Sequence, residues 1–152
     1  MQHATARMFI AEKGKGAYIL HGGKKQKIAT STQRRLSQGV RIYIDEYFEY
    51  NRKTFSPFLS EFEPKYECAS SLYYAALAEG EADVVLECTR KGNLEFAVEY
   101  GLTKEAGGVV VDLMGQDIGE YAYLQFGQQE YEGVISAANK ELALVVLKKI
   151  GC

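Results

Sequence analysis

The sequence predicts an α/β fold, a mixed and mostly β-sheet of about five to seven strands covered by helices. Three observations predict it. A glycine-punctuated hairpin pattern opens the chain. In the second half, apolar runs of strand length alternate with helix-length segments. Between those segments stand glycines and small polar residues of the kind that stop or start helices. The 152 residues fit one domain, 1–152, and a domain of this size buries roughly 68–70% of its unfolded surface.

Arg7 to Lys13 and Gly16 to Leu20 read as two strands joined by the tight turn Lys13-Gly14-Lys15-Gly16, because glycine supplies the positive φ that hairpin turns need. His21-Gly22-Gly23 is a second turn and Gln26 to Thr30 a third strand. Ser31 and Thr32 are N-cap residue types ahead of a short helix through Leu36 and Ser37, closed by Gly39. Val40 to Ile44 alternates as a half-buried strand should. The aromatic-rich stretch from Tyr47 to Phe62 has helical periodicity. Ser70 or Ser71 caps a helix through Glu79 that Gly80 closes, and Ala82 to Cys88 is a nearly continuous apolar strand around Asp83. In the next helix Leu94, Ala97, Val98, Gly101 and Leu102 share a stripe, and Gly107-Gly108 ends it. Val109 to Leu113 and Gly133 to Ala137 are strands. Asn139 caps a last helix that packs through Leu142, Val145, Val146 and Ile150.

Composition excludes several function classes. Apolar residues make up 47% of the chain, too many for disorder, and 18 basic against 20 acidic side chains leave a net charge of −2. That balance argues against wholesale nucleic-acid or membrane affinity. Lys13, Lys15, Lys24, Lys25 and Lys27 cluster early, as a solvated loop face or a weak anion site; an anion or nucleic-acid role there would require affinity that falls steeply with salt. Three cysteines, with no C-x-x-C spacing, speak against disulfide frameworks and zinc sites, and a reducing cytoplasm fits. No signal peptide or apolar run of membrane-spanning length is evident, so a soluble protein is expected. His3 and His21 have no Ser or Cys at triad spacing. Cys88 reads as a buried, inert thiol. The eleven tyrosines suggest core and interface packing rather than base stacking.

The chemistry gathers where the strand ending at Cys88 gives way to a helix. Glu87 and Glu95 flank that junction, the place where open α/β sheets bind ligands. Arg90 and Lys91 precede the helix start at Asn93, where backbone N–H groups and the helix dipole favour a phosphate. Each has a structural alternative. Glu95 is equally a first-turn glutamate interacting with the macrodipole, Glu87 an exposed strand-end carboxylate, and Ser70 an N-cap.

Four segments carry a family resemblance. Ala11-Glu12-Lys13-Gly14-Lys15-Gly16-Ala17, the Cys68-Ala69-Ser70-Ser71 helix start, Glu105-Ala106-Gly107-Gly108 and Ala137-Ala138-Asn139 stand in this order along nearly the whole chain. Together they resemble the carboxyl-terminal half of the inositol monophosphatase/fructose-1,6-bisphosphatase family of magnesium-dependent sugar phosphatases. The resemblance implies the substrate-side domain of that fold, phosphomonoester hydrolysis by metal-activated water, Mg²⁺ as cofactor and a sugar or inositol phosphate as substrate. It implies metal binding at Glu95, a sugar-hydroxyl contact at Glu87 and Ser70 beside the substrate; the phosphate of that substrate would dock at Arg90 and Lys91, before the helix start.

Two departures qualify it. The family's Trp-Asp pair, ten residues ahead of the signature glutamate, is Leu94-Glu95 here, and Mg²⁺ demands near-ideal octahedral geometry. The Asp-Pro-Ile/Leu-Asp-Gly-Thr loop of the family's amino-terminal half has no counterpart. The nearest string, Asp112-Leu113-Met114-Gly115, lacks the second aspartate. The expectation is therefore a half-site, inactive alone and completed by the missing half or a partner chain. Apolar surface left over from that contact would drive homo-oligomerisation, most simply as a twofold dimer. The rival expectation is a non-catalytic phosphate- or polyol-binding or assembly module.

Overall fold

The computed structural model describes residues 6–45, 49–67, 69–89, 95–120 and 132–151. The architecture is α/β as expected, with the strands divided between two sheets. β1 (Met8–Glu12), β2 (Gly16–His21) and β3 (Lys24–Ile28) form an antiparallel sheet in that order. β4 (Ile42–Asp45), β5 (Lys65–Glu67), β6 (Val84–Thr89), β7 (Val109–Asp112) and β8 (Glu132–Ala137) form a mixed sheet in the order β5-β4-β6-β8-β7. The parallel pairs β4–β5 and β4–β6 lie on one side, and β8 runs antiparallel to both β6 and β7. The helices are α1 (Glu49–Thr54), α2 (Ser56–Glu61), α3 (Ser70–Ala78), α4 (Glu95–Glu105) and α5 (Lys140–Ile150), with a 3₁₀ turn at Ile118–Glu120. Among the described residues no helix is long and apolar enough to cross a membrane.

β6 explains the layering. Its residues are apolar on both faces because both faces are covered. Val84, Leu86 and Cys88 join Ile44, Ile135, Phe55, Phe58 and Leu142 under α1, α2 and α5. Val85 points the other way, into a cluster with Tyr73, Tyr74, Leu77, Phe96 and Val134 under α3 and α4. A third, smaller cluster of Ala17, Ile28, Ala78 and Ala106 joins the three-stranded sheet to those same helices.

Several elements depart from the sequence expectation. Residues 31–39 form no helix. The Ser31 hydroxyl is taken by Asp83, which also accepts from Arg41 through Nε (3.0 Å), Nη2 (2.7 Å) and the backbone N–H (2.8 Å). The Ser31 oxygen still accepts from the Gln33 N–H at 3.4 Å, but the Gln33 carbonyl is held by Asn139 Nδ2 at 2.7 Å rather than by a helical N–H, and no helix follows. The stretch expected as one helix over 47–62 is two, broken at Phe55, and Pro57 sits in the first turn of the second. β3 starts two residues earlier than expected, and the three-residue edge strand β5 was not anticipated. The N-cap of α3 is Ala69, with no side-chain capping bond, so Ser70 is the first helical residue rather than the cap.

The buried stripe of α4 is rotated from the expected one. Phe96, Glu99 and Thr103 are buried, whereas Ala97 and Val98 face outward. The helix lies between two sheets and buries two faces, which blurs the single-stripe pattern. On α5 the cap is as expected, Asn139 Oδ1 accepting from Leu142 N–H at 3.0 Å, but Val145 is 40% exposed and Ala143 and Leu147 are buried in its stead.

Candidate functional site

The connections β5–α3–β6 and β6–α4–β7 join strands of like direction, so α3 and α4 both start at the carboxyl edge of the mixed sheet. Asp45 ends β4 and Glu87 stands one turn of pleat before the end of β6 at that same edge. Ser70 opens α3 and the backbone of Glu95 opens α4. The topology thus brings Ser70, Glu87 and Glu95 to one edge of the sheet, with two helix N-termini that favour negative charge. Arg90 and Lys91, and the side chain of Glu95, lie outside the described residues.

Glu87 is not the exposed strand-end carboxylate of the structural alternative. It is 3% exposed, and α3 delivers two tyrosines onto it. Tyr73 donates its hydroxyl to Oε2, and Tyr74 donates to Oε1 at 3.1 Å. Ser136 of β8 donates in turn to the Tyr74 hydroxyl at 3.3 Å. Burial, with the nearby charge of Glu99, pushes the Glu87 carboxyl from its ordinary 4.5 up to about 8, against the opposing pull of the two tyrosine bonds. At neutral pH Glu87 therefore holds a proton. The tyrosine hydroxyls are themselves pushed up by burial and by Glu87, so they remain donors throughout the physiological range.

Neighbouring groups brace this edge. Asn51 of α1 is fully buried. Its Nδ2 donates to the Asp45 carbonyl at 3.0 Å and its Oδ1 accepts from the Cys88 N–H at 2.6 Å, clipping β4 to β6. Cys88 is buried as expected, and burial raises its thiol from 9.0 to about 11, which leaves it unreactive. Sequence reasoning missed Tyr73, Tyr74, Asn51 and Glu99 as parts of this edge. A residue pair Tyr-Tyr in an otherwise Ala-rich helix facing a strand glutamate was the available signal.

The Glu105 of the Glu-Ala-Gly-Gly segment has a separate task. Its carboxylate accepts from the N–H groups of Gly14 (2.8 Å) and Gly16 (2.9 Å), fastening the β1–β2 turn to the end of α4. Those backbone bonds hold its carboxyl below the usual glutamate range. Two of the four segments that carry the resemblance are thus in direct contact.

Among the described residues no three Asp, Glu, His or Cys side chains converge to hold a metal ion. These residues do not by themselves make the magnesium site that the resemblance implies.

The comparisons with known proteins follow the same lines. The model of the inositol monophosphatase family matches residues 2–150. A probable 3'(2'),5'-bisphosphate nucleotidase of Arabidopsis thaliana is 28% identical over 151 residues, covering 94% of this chain and 43% of its own length. A bifunctional NADP phosphatase/NAD kinase of Methanococcus maripaludis is 28% identical over 116 residues, covering 76% of this chain and 20% of its own length. The chain thus spans less than half the length of these curated relatives. A solved structure from Pyrococcus horikoshii, described as having similarities to inositol-1 monophosphatase, superposes with a TM-score of 0.71 at 24% identity, over 99% of this chain and 55% of that one. That likeness extends to the fold. With a family match over all but the ends of the sequence, this chain belongs to the inositol monophosphatase family.

Proposed function

We propose that this chain is the substrate-side half of a magnesium-dependent phosphatase that hydrolyses a phosphomonoester of a sugar or inositol, working in the cytoplasm. The observation that carries the proposal is the meeting of Ser70, Glu87 and Glu95 at the carboxyl edge of the mixed sheet in a member of a phosphatase family. In this reading Ser70, Arg90 and Lys91 contact the sugar phosphate, Glu95 is the metal ligand, and Glu87, expected to touch a sugar hydroxyl, supports the site instead, because it is buried with both oxygens bonded to tyrosines. Glu87 acts from beneath the surface, fixing the orientation of the Tyr73 and Tyr74 hydroxyls. The remaining metal-binding acids come from the amino-terminal half of the fold, in the same polypeptide or in a partner, and the chain also assembles with itself. The two curated relatives are named for phosphatases of nucleotides, so nucleotide 3'-phosphates belong in the substrate panel.

The test is release of phosphate from inositol phosphates, fructose 1,6-bisphosphate and 3'-phosphonucleotides with Mg²⁺. The chain is assayed alone and mixed with the amino-terminal half of a family member. Turnover only in the mixture is expected, and no turnover in either defeats the proposal.

A second function is favoured by one observation. The Glu87 oxygens are already occupied by two tyrosines, as expected of a module that keeps the fold and binds phosphate or a polyol without chemistry. Calorimetry separates the two. Phosphate binding that strengthens with Mg²⁺ supports the phosphatase; binding indifferent to Mg²⁺ supports the module.

A further inference from the structure

The carboxyl of Glu87 sits in a closed arrangement. Tyr73 donates to one oxygen and Tyr74 to the other, while Ser136 donates to the Tyr74 hydroxyl. These hydroxyls point inward along a chain that ends at Glu87. Aromatic rings close the space around it. Tyr73 and Tyr74 lie 5.1 Å apart between ring centres, and Phe96 of α4 meets Tyr74 edge-on at 5.9 Å. All three rings are buried, as are Glu87 and Ser136.

A substrate hydroxyl can reach this carboxyl only by displacing a tyrosine. Displacement leaves a buried phenol without its acceptor, and the desolvation penalty of that unpaired group offsets the new bond. The gain is small as well. Burial keeps the Glu87 carboxyl protonated at neutral pH, and a hydrogen bond to a neutral acceptor is roughly half as strong as one to a carboxylate. Ligand access and bond strength therefore both run against a hydroxyl contact at this position.

We propose that Tyr73 and Tyr74 are specificity-determining residues of the phosphatase site: by occupying Glu87 they remove the hydroxyl contact, so that the site selects its substrate through the phosphate group. The substrate class widens accordingly. Phosphomonoesters whose alcohol carries no further hydroxyl are bound as well as those of inositol or a sugar. The inference rests on the phosphatase reading above and names the part of the substrate that is read. Tyr73 is the residue to change, because its hydroxyl serves Glu87, whereas that of Tyr74 also holds Ser136.

Calorimetric titration of the chain without Mg²⁺ tests it, with inositol 1-phosphate and cyclohexyl phosphate as probes. The two esters share a six-membered ring and a phosphate and differ in the ring hydroxyls. A site built to bond a substrate hydroxyl rejects the analogue lacking it by roughly 10⁴–10⁵-fold. Here the two affinities are expected to lie within about tenfold of each other, the worth of one ordinary net hydrogen bond. Tyr73→Ala uncovers one carboxyl oxygen, and its affinity ratio is expected to move toward inositol phosphate by about tenfold or more. A larger wild-type preference for inositol phosphate overturns the inference and leaves the phosphatase reading standing. So does a Tyr73→Ala variant that is folded by circular dichroism and keeps the wild-type ratio. Should Tyr73→Ala fail to fold, the wild-type ratio decides alone. Binding of neither ester defeats the phosphatase reading and takes this inference with it, so the two failures are told apart.

Discussion

At the scale of single residues, Glu87 carries the sharpest consequence. Its position near the end of an apolar strand was legible from the sequence. Its burial was not, because burial depends on Tyr73 and Tyr74, fourteen and thirteen positions earlier, arriving on a helix. A carboxyl pushed up to about 8 binds a proton in the folded state that the unfolded chain has released. Its contribution to stability is complete below the ordinary glutamate value, shrinks as pH rises, and is lost through about pH 8. Glu87→Gln keeps the shape and removes the titration. The melting temperature of the variant is expected to decline less than that of the wild type between pH 5 and 8, measured by calorimetry across that range. Identical slopes would show that Glu87 is ionised in the fold. Asp83 has the opposite sign. Burial would raise its carboxyl, but the bonds from Arg41 and Ser31 prevail and hold it low, so its contribution is present at neutral pH and lost on acidification.

At the scale of elements, the stop and start signals were the most legible. Gly107 and Gly108 end α4 for two different reasons. Gly107 adopts φ +98°, the left-handed conformation after a helix end. Gly108 has no space for a side chain, since a Cβ there would lie 2.8 Å from Thr103 Cγ2 and 2.9 Å from the Ala137 carbonyl. Gly108→Ala is therefore expected to destabilise by about 1–3 kcal/mol, because a backbone oxygen in β8 cannot yield. Asn139→Ala removes the bond to Leu142 N–H and is expected to cost about 1 kcal/mol. Urea titration of both variants checks the two values. The same local signals misled at residues 31–39. Ser31 has the chemistry of a cap and its oxygen accepts from the Gln33 N–H, but the Gln33 carbonyl is held by Asn139, 106 positions away, instead of by a following helical turn. A local rule cannot register a distant donor. The stripe of α4 misled for a related reason. A helix covered by a sheet on either side buries Glu99 and Thr103 as fully as its apolar residues, so hydrophobic periodicity no longer marks its inner face.

At the scale of the whole molecule, the unequal size of the three clusters sets the order of opening. The mixed sheet is packed on both faces by large side chains, including Phe55, Phe58, Tyr73, Tyr74 and Phe96. The three-stranded sheet is held mainly by alanines, with Ile28, Phe9, Ile19 and Leu102 around them, and by the clasp of Glu105 on the Gly14 and Gly16 N–H groups. Segments with little buried apolar contact open at lower free energy than the core. Hydrogen exchange is expected to proceed first through β1–β3 and last through β6 and β8. Glu105→Ala should widen that gap. Without the carboxylate, the Gly14 and Gly16 amides lose their acceptor and the hairpin turn is released from α4, so exchange over residues 8–28 accelerates. Exchange in β6 and β8, whose packing does not involve Glu105, is expected to keep its wild-type rate. If both regions accelerate together, the clasp contributes to a single cooperative unit and the two sheets open as one.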